Sequence, residues 1–197
     1  MGLKLTYLDG QTPLDPEQLN GLKIKTIHTQ SQLNEFEQTN INETLKWLNA
    51  KRKIKDVISE EFIIQLHMRM FGMVWKWAGQ FRRVETNIGI DWTKIALELK
   101  LLVDDTNFWV AHQSYSPEEI AIRFKHRLVS IHCFPNGNGR HSRMMADLIA
   151  LQVLGLNKFS WGQYSLVESS EQRKLYLYAL KQADNGNFSE LMKFARS

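Results

Sequence analysis

His132 stands four residues ahead of Asn136-Gly137-Asn138-Gly139, and Arg140 and Arg143 follow. An imidazole, a glycine-rich run and two guanidinium groups at this spacing suit chemistry at a phosphate. Glycine lets the backbone approach a ligand closely and turn N–H groups toward an anion. A helix opening near Gly137–Arg140 would add the unpaired N–H groups and positive dipole of its first turn. Arg140 and Arg143 would share one face of that helix, each able to grip phosphate oxygens in bidentate fashion. A neutral His132 could take the proton from a hydroxyl attacking a bound phosphoryl group. The segment reads as a polyphosphate cradle with a base at its entrance, and it is not a Walker loop, because Gly-x4-Gly-Lys-Ser/Thr is absent. The same residues could instead form a plain helix-linking turn, with His132 hydrogen-bonded in the core and both arginines in solvent. Cys133, next to His132, reads as an inert thiol, since adjacent side chains point apart and no supporting acid is evident.

The cradle needs two helices to hold it. Ser116-Pro117-Glu118-Glu119 opens the first: Ser caps, Pro occupies the first helical position, and Glu119 can complete a capping box. That helix should end near Ile131, and the second should carry Met144, Met145, Leu148, Ile149 and Leu151 inward. Upstream, the spacing of Leu33, Phe36, Ile41, Leu45 and Leu48 predicts a helix over about 31–48. Ser59, followed by Glu60 and Glu61, caps another that buries Phe62, Ile63, Leu66 and Met70. A helix from about Thr93 carries Leu97, Leu101 and Leu102, and two shorter ones over about 169–183 and 188–195 finish the chain. Arg82–Trp92 is β-branched, aromatic and glycine-punctuated, which predicts a short hairpin. The fold class expected is mainly α, a helical bundle with one small β-hairpin. Residues 1–30 read as an N-terminal extension, and 31–197 as a single domain.

Composition narrows the partners. Hydrophobic residues make up 43% of 197 positions, enough for a core. No apolar run approaches the ~20 residues of a membrane span, and the N-terminus lacks a signal-peptide core. The myristoylation match at Gly2 is too weak to use. One cysteine, Cys133, excludes an internal disulfide framework and points to a reducing cytoplasm. A net charge of +4 and a pI near 9.1 suit a polyphosphate ligand. The Lys51–Lys55 basic run reads as a solvated stretch, and nothing else in the chain supports nucleic acid as a partner.

Ile131–Arg143 resembles the Fic-family signature, His-x-Phe-x-(Asp/Glu)-Gly-Asn-Gly-Arg-x-x-Arg, at every fixed position but one. Further likeness lies in His67-Met68-Arg69-Met70-Phe71, Trp77-Ala78-Gly79, Arg82 and the late Tyr176-x-x-Ala179-Leu180-x-x-Ala183-Asp184 helix. It covers about residues 30–195 and looks nearest to the small stand-alone group called mobile mystery protein B. The resemblance implies a Fic-like helical bundle and an adenylyltransferase that moves AMP from ATP to a Ser, Thr or Tyr hydroxyl of a target protein, itself included. His132 would be the general base. Asn138, with the backbone of Gly137 and Gly139, would hold the α-phosphate region, and Arg140 and Arg143 would neutralise the β- and γ-phosphates. The hairpin residues Val84, Glu85, Thr86, Asn87, Ile88 and Gly89 would form the flap that registers an extended target segment. Asn136 departs from the pattern, standing where an acid would ligate Mg²⁺ or Mn²⁺. Its amide oxygen is a weaker ligand for a hard cation, so the metal would sit on ATP phosphates and water. That departure leaves open a nucleotide-binding regulatory module with no transfer, or transfer of a different group. Phe36-Glu37-Gln38 resembles a divergent form of the family's inhibitory helix, which implies that Glu37 pairs with Arg143. The alternative is a solvent-facing Glu37. A homo-oligomer is compatible with the sequence, which names neither oligomeric state nor target.

Overall fold

Ser59 and Ser116 open helices where the sequence places them, their hydroxyls accepting from Phe62 N at 3.1 Å and Glu119 N at 3.3 Å. The Glu119 carboxylate does not complete a capping box but pairs with Arg123 one turn on, at 2.8 Å. In this computed structural model, residues 13–161 and 170–197 are described. The first twelve residues of the expected N-terminal extension, with the Gly2 match, and position 169 lie outside the described residues. The helices are α1 (Pro16–Asn20), α2 (Gln30–Asn49), α3 (Glu60–Phe71), α4 (Ile95–His112, entered through a 3-10 turn at Trp92–Lys94), α5 (Pro117–Ile131), α6 (Asn138–Gln152), α7 (Ser170–Asp184) and α8 (Ser189–Arg196). The fold is mainly α, as expected.

α5 and α6 form the central pair, with α4 against α5, α3 against α6, and α2 covering α3. Ile63, Leu66, Met70, Phe124, Phe134, Met145 and Ile149 are fully buried between them. Burying each such side chain stabilises by about 1.5–3 kcal/mol relative to leaving it exposed. α7 and α8 pack on each other and close the far side. Two part-buried polar ties hold α7 to α5: Lys125 Nζ donates to Tyr176 Oη at 2.6 Å, and His126 Nε2 meets Asp184 Oδ1 at 2.8 Å.

Two expectations fail here. The Arg82–Trp92 hairpin does not form: no cross-strand pair lies within it, and the β-type pairing among the described residues is one isolated bridge, Leu22–Trp75. The physical reason is competition for acceptors. Arg82 takes the carbonyls of Val84 and Ile90 with its guanidinium, which draws both onto one side chain in place of each other's strand. The inward stripe of α2 is also rotated. Phe36 is 42% exposed, while Leu33, Glu37, Asn40, Ile41, Thr44 and Leu48 are buried. Leu151, read as inward-facing, is exposed as well, as are Leu97 and Leu101 of the helix expected from Thr93.

Candidate active site

α5 ends at Ile131, and His132 takes the left-handed conformation beyond it, with φ 56° and ψ 59°. A non-glycine residue there costs free energy, of order 1–3 kcal/mol, and needs outside support. Arg82 supplies it: its amide donates to Cys133 O at 2.9 Å and its Nε to His132 O at 2.7 Å. The His132 ring is almost wholly buried. Burial, helped by the Arg82 charge and opposed by a hydrogen bond with the Val129 backbone, lowers its pKa to about 4. His132 is therefore neutral at physiological pH, the form a proton acceptor requires.

The loop from Cys133 to Gly137 braces itself. Asn138 Oδ1 accepts from Phe134 N at 3.0 Å and its Nδ2 donates to Phe134 O at 2.7 Å. Asn136 Oδ1 accepts from Gly137 N at 2.5 Å. His67 accepts from Gly79 N on Nδ1 at 3.0 Å, so its Nε2 carries the proton and donates to Asn136 O at 3.0 Å. That ring stacks on Phe134 with centroids 3.7 Å apart. Gly137 has φ +81°, and a Cβ there would stand 2.5 Å from the Phe71 ring, so both conformation and space demand glycine. Gly139 opens α6 with nothing near its missing Cβ. The Cys133 thiol is buried and pushed up to about 12, chiefly by that burial, so it stays protonated.

The two arginines of the motif differ. Arg140 Nη1 pairs with Glu37 Oε2 at 2.7 Å, and its guanidinium lies 4.8 Å from the Phe71 ring centre. Glu37 is buried, and its Oε1 accepts from Trp75 Nε1 at 2.6 Å. The glutamate thus meets Arg140, not Arg143 as its helix suggested, because α2 crosses α3 beside Trp75 and Phe71. Arg143 lies deeper, its Nε donating to Gly139 O at 3.3 Å and its guanidinium 5.9 Å from the Tyr176 ring centre. Burial holds its pKa below the usual arginine range, and nearby Tyr176 works against the shift.

Glu85–Gly89 arch over this site from the other side. A Cβ on Gly89 would stand 2.6 Å from His132 Cβ and 2.9 Å from an Arg82 terminal nitrogen. The structure thus brings His132, Asn136 to Arg140, Arg143, Glu37 and the 84–89 loop into one region. Among the described residues no cluster of three His, Cys, Asp or Glu side chains could hold a metal ion. Asn136 Oδ1 is committed to its own loop, so the protein groups here do not fit a directly held cation. Sequence reasoning gave no role to Arg82, His67, Trp75 or the Lys125–Tyr176 pair. Arg82 and His67 stood in the quoted flanking segments, but burial of their polar groups has no signature in one sequence.

Residues 57–150 match the family model described as the Fic/DOC family. A protein adenylyltransferase Fic from Drosophila grimshawi is 29% identical over 154 residues, covering 76% of this chain and 30% of that protein. The chain thus spans about a third of the length of the curated relatives it matches. Among solved structures, Fic-1 (residues 134–508, E274G) from C. elegans superposes with a TM-score of 0.63 at 23% identity, covering 80% of this chain and 46% of that one. The BepC protein of Bartonella tribocorum, solved with bound AMPPNP, gives 0.67 at 16% identity, covering 92% and 97%. By signature, fold and sequence likeness together, residues 57–150 of this chain are similar to the Fic/DOC family.

Proposed function

We propose that the protein transfers AMP from ATP to a hydroxyl of a protein target, and that Glu37 restrains it. The observation that carries this reading is a neutral, buried His132 at the mouth of a glycine-rich helix start flanked by Arg140 and Arg143. The related adenylyltransferases, and a similar fold solved with AMPPNP, support ATP as donor. The target oxygen attacks the α-phosphorus, its proton passes to the His132 imidazole, and the bond to the bridging oxygen breaks to release pyrophosphate. Arg140, Arg143 and the first N–H groups of α6 stabilise the charge that grows on the phosphates. Asn138 acts here by holding the loop through Phe134 rather than by reaching the nucleotide. A divalent cation, where one takes part, would be held by the ATP phosphates and would neutralise their charge, since Asn136 offers no carboxylate. Glu37 occupies Arg140, and a polyphosphate must displace it to gain that guanidinium.

The flap residues Val84, Glu85, Thr86, Asn87, Ile88 and Gly89 are the surface nearest the base, and they dock the target. Because Arg82 consumes the Val84 and Ile90 carbonyls, docking uses the exposed arc between them, with Ile88 and Val84 part-exposed as apolar contacts. The target protein, cytoplasmic residence and any homo-oligomer belong to this proposal and not to the geometry.

A second reading draws on Asn136: a nucleotide-binding regulatory module that performs no transfer, or transfers another phosphate-bearing group. Intact-mass analysis after incubation with ATP and Mg²⁺ or Mn²⁺ separates the readings, comparing wild type, Glu37→Gly and Glu37→Gly/His132→Ala. An AMP-sized gain in the single variant that vanishes in the double is expected. ATP binding without any adduct would replace the transferase with the regulatory module, and a gain of different mass would identify another donor.

A further inference from the structure

Arg82 is a buried cation with no carboxylate in salt-bridge contact among the described residues, and Glu85 and Asp91 favour its charge only through space. Burying a charge without a directly paired carboxylate is costly, and an apolar side chain would fill the same volume at less expense. What surrounds it is a set of carbonyl dipoles from two places. Nε donates to His132 O at 2.7 Å and Nη2 to Ile131 O at 3.4 Å, both at the negative end of α5. Nη1 donates to Val84 O at 2.9 Å and Nη2 also to Ile90 O, the two feet of the 84–90 arch. One rigid fork thus grips the residue that carries the base and both ends of the loop above it. The arch in turn rests on His132, since Gly89 leaves no room for even a methyl group against that ring's Cβ.

We propose that Arg82 is a positioning residue that fixes the 84–90 docking loop and the His132 backbone in one shared geometry. Target and base are then aligned by the same side chain, so a loop that drifts takes the alignment with it. This inference rests on the transferase reading for its consequence, though not for its structural content. A lysine could not replace the arginine, because one ammonium on a flexible stem does not span four carbonyl acceptors drawn from two segments.

The test uses the full chain as Arg82→Met and Arg82→Lys, with and without Glu37→Gly. Two readouts need no transfer: NMR order parameters of the Glu85–Gly89 backbone, and an NMR titration of the His132 imidazole. In Arg82→Met the loop order parameters should fall from the rigid range to below about 0.6, and the His132 midpoint should rise with the loss of a neighbouring charge. AMP transfer should fall at least about ten-fold in kcat, with ATP affinity changed less than about two-fold. Arg82→Lys should resemble Arg82→Met in order parameters and in kcat. A folded Arg82→Met with unchanged loop order parameters and His132 midpoint overturns the proposal, and so does full rescue by lysine. If Arg82→Met does not fold, Gly89→Ala decides. Its Cβ crowds both the His132 Cβ and an Arg82 terminal nitrogen, so it disturbs the shared seat while the charge remains; kcat should fall with ATP binding intact, and unchanged kcat sinks the idea. Absence of transfer in both wild type and Glu37→Gly would count against the transferase alone and leave the order-parameter and titration results to judge Arg82.

Discussion

Two irregular segments meet over His132, and they are held in opposite ways. Residues 133–138 satisfy their own backbone: Asn138 closes on Phe134 twice, Asn136 on Gly137, and neutral His67 ties in from α3. Residues 83–91 carry one short internal tie, Thr86 Oγ1 to Ile88 O, and both feet of the arch hang from the Arg82 guanidinium. The cradle is stapled by amides and uncharged imidazoles, the arch by a permanent cation. Glycine appears in both at positive φ, Gly137 against Phe71 and Gly89 against His132, each where another residue's ring or Cβ comes closest. A phosphate site gains from rigidity fixed before the ligand arrives. A docking loop gains from being released or seated as a unit.

Acid should break this comparison hardest. Burial holds His132 and His141 at about 4, and His67 well below 6.5. Between pH 6.5 and 4 the unfolded chain takes up protons on these rings that the folded chain refuses, so stability falls as pH falls. Asp147 works the other way: burial raises its pKa from 3.8 to about 6, so the folded chain accepts a proton there before the unfolded one does. These three imidazoles, with His126 lowered by burial beside them, outweigh one carboxyl and leave a net loss, each uncompensated proton contributing about 1.4 kcal/mol per pH unit. Denaturant titrations at pH 7, 6 and 5 should show the midpoint dropping throughout this range. Arg82 keeps its charge, so the amides of the cradle should lose protection before those of the arch. A midpoint flat from pH 7 to 5 would mean that the three histidines are not buried as neutral groups.

Next in size is the base itself. His132→Ala in the Glu37→Gly background should lower AMP transfer about 10²- to 10⁴-fold, the usual range for a positioned general base. ATP affinity should hold within a few-fold, since the phosphates are gripped by Arg140, Arg143 and the start of α6. The acid limb of the kcat/KM profile, which reports the free enzyme, should lie near pH 4 rather than 6.5, because the neutral form persists down to the lowered pKa.

Asn138→Ala tests the self-bracing directly. It orphans Phe134 N and Phe134 O in a buried place, a loss of about 2–4 kcal/mol by the usual penalty for unpaired polar groups. Equilibrium unfolding measures it. A loss below about 0.5 kcal/mol would mean that water or backbone shifts satisfy the loop, and that Asn138 is free for a ligand after all.

Much of this contrast was legible in the sequence, and unevenly so. The cradle was readable because its chemistry is local: glycines, arginines and a helix start lie within twelve residues, and Ser116 and Ser59 mark the helices around it. The arch was misread as a hairpin because β-branched and aromatic residues at 82–92 satisfy strand propensity. Propensity cannot see that Arg82 reaches back to take the acceptors. Phe36 and Glu37 show the same limit one helix away. Apolar periodicity put Phe36 inward, but Trp75 and Arg140, far along the chain, offer partners that draw the Glu37 carboxylate in and turn Phe36 out. Buried polar groups with distant partners are where single-sequence reading fails.

Arg140 is the exception to the cradle's self-sufficiency, and it yields the smallest and sharpest prediction. Its guanidinium is about a third exposed, so its pair with Glu37 is partly screened, and such pairs contribute about 1 kcal/mol or less. Glu37→Gln keeps the side-chain volume and an oxygen that can still accept from Trp75, but removes the charge facing Arg140. ATP should then bind about three- to five-fold tighter by calorimetry, the equivalent of roughly that energy. Stability should change by less than about 1 kcal/mol, because the Trp75 bond and the packing survive. Glu37→Gly removes the bulk as well and should release transfer further than Glu37→Gln does. If the two variants bind ATP equally tightly and both above wild type, charge alone restrains the site. If Glu37→Gln behaves as wild type while Glu37→Gly is released, the restraint is steric, and the Arg140 pair is only the means by which α2 holds Glu37 in the way.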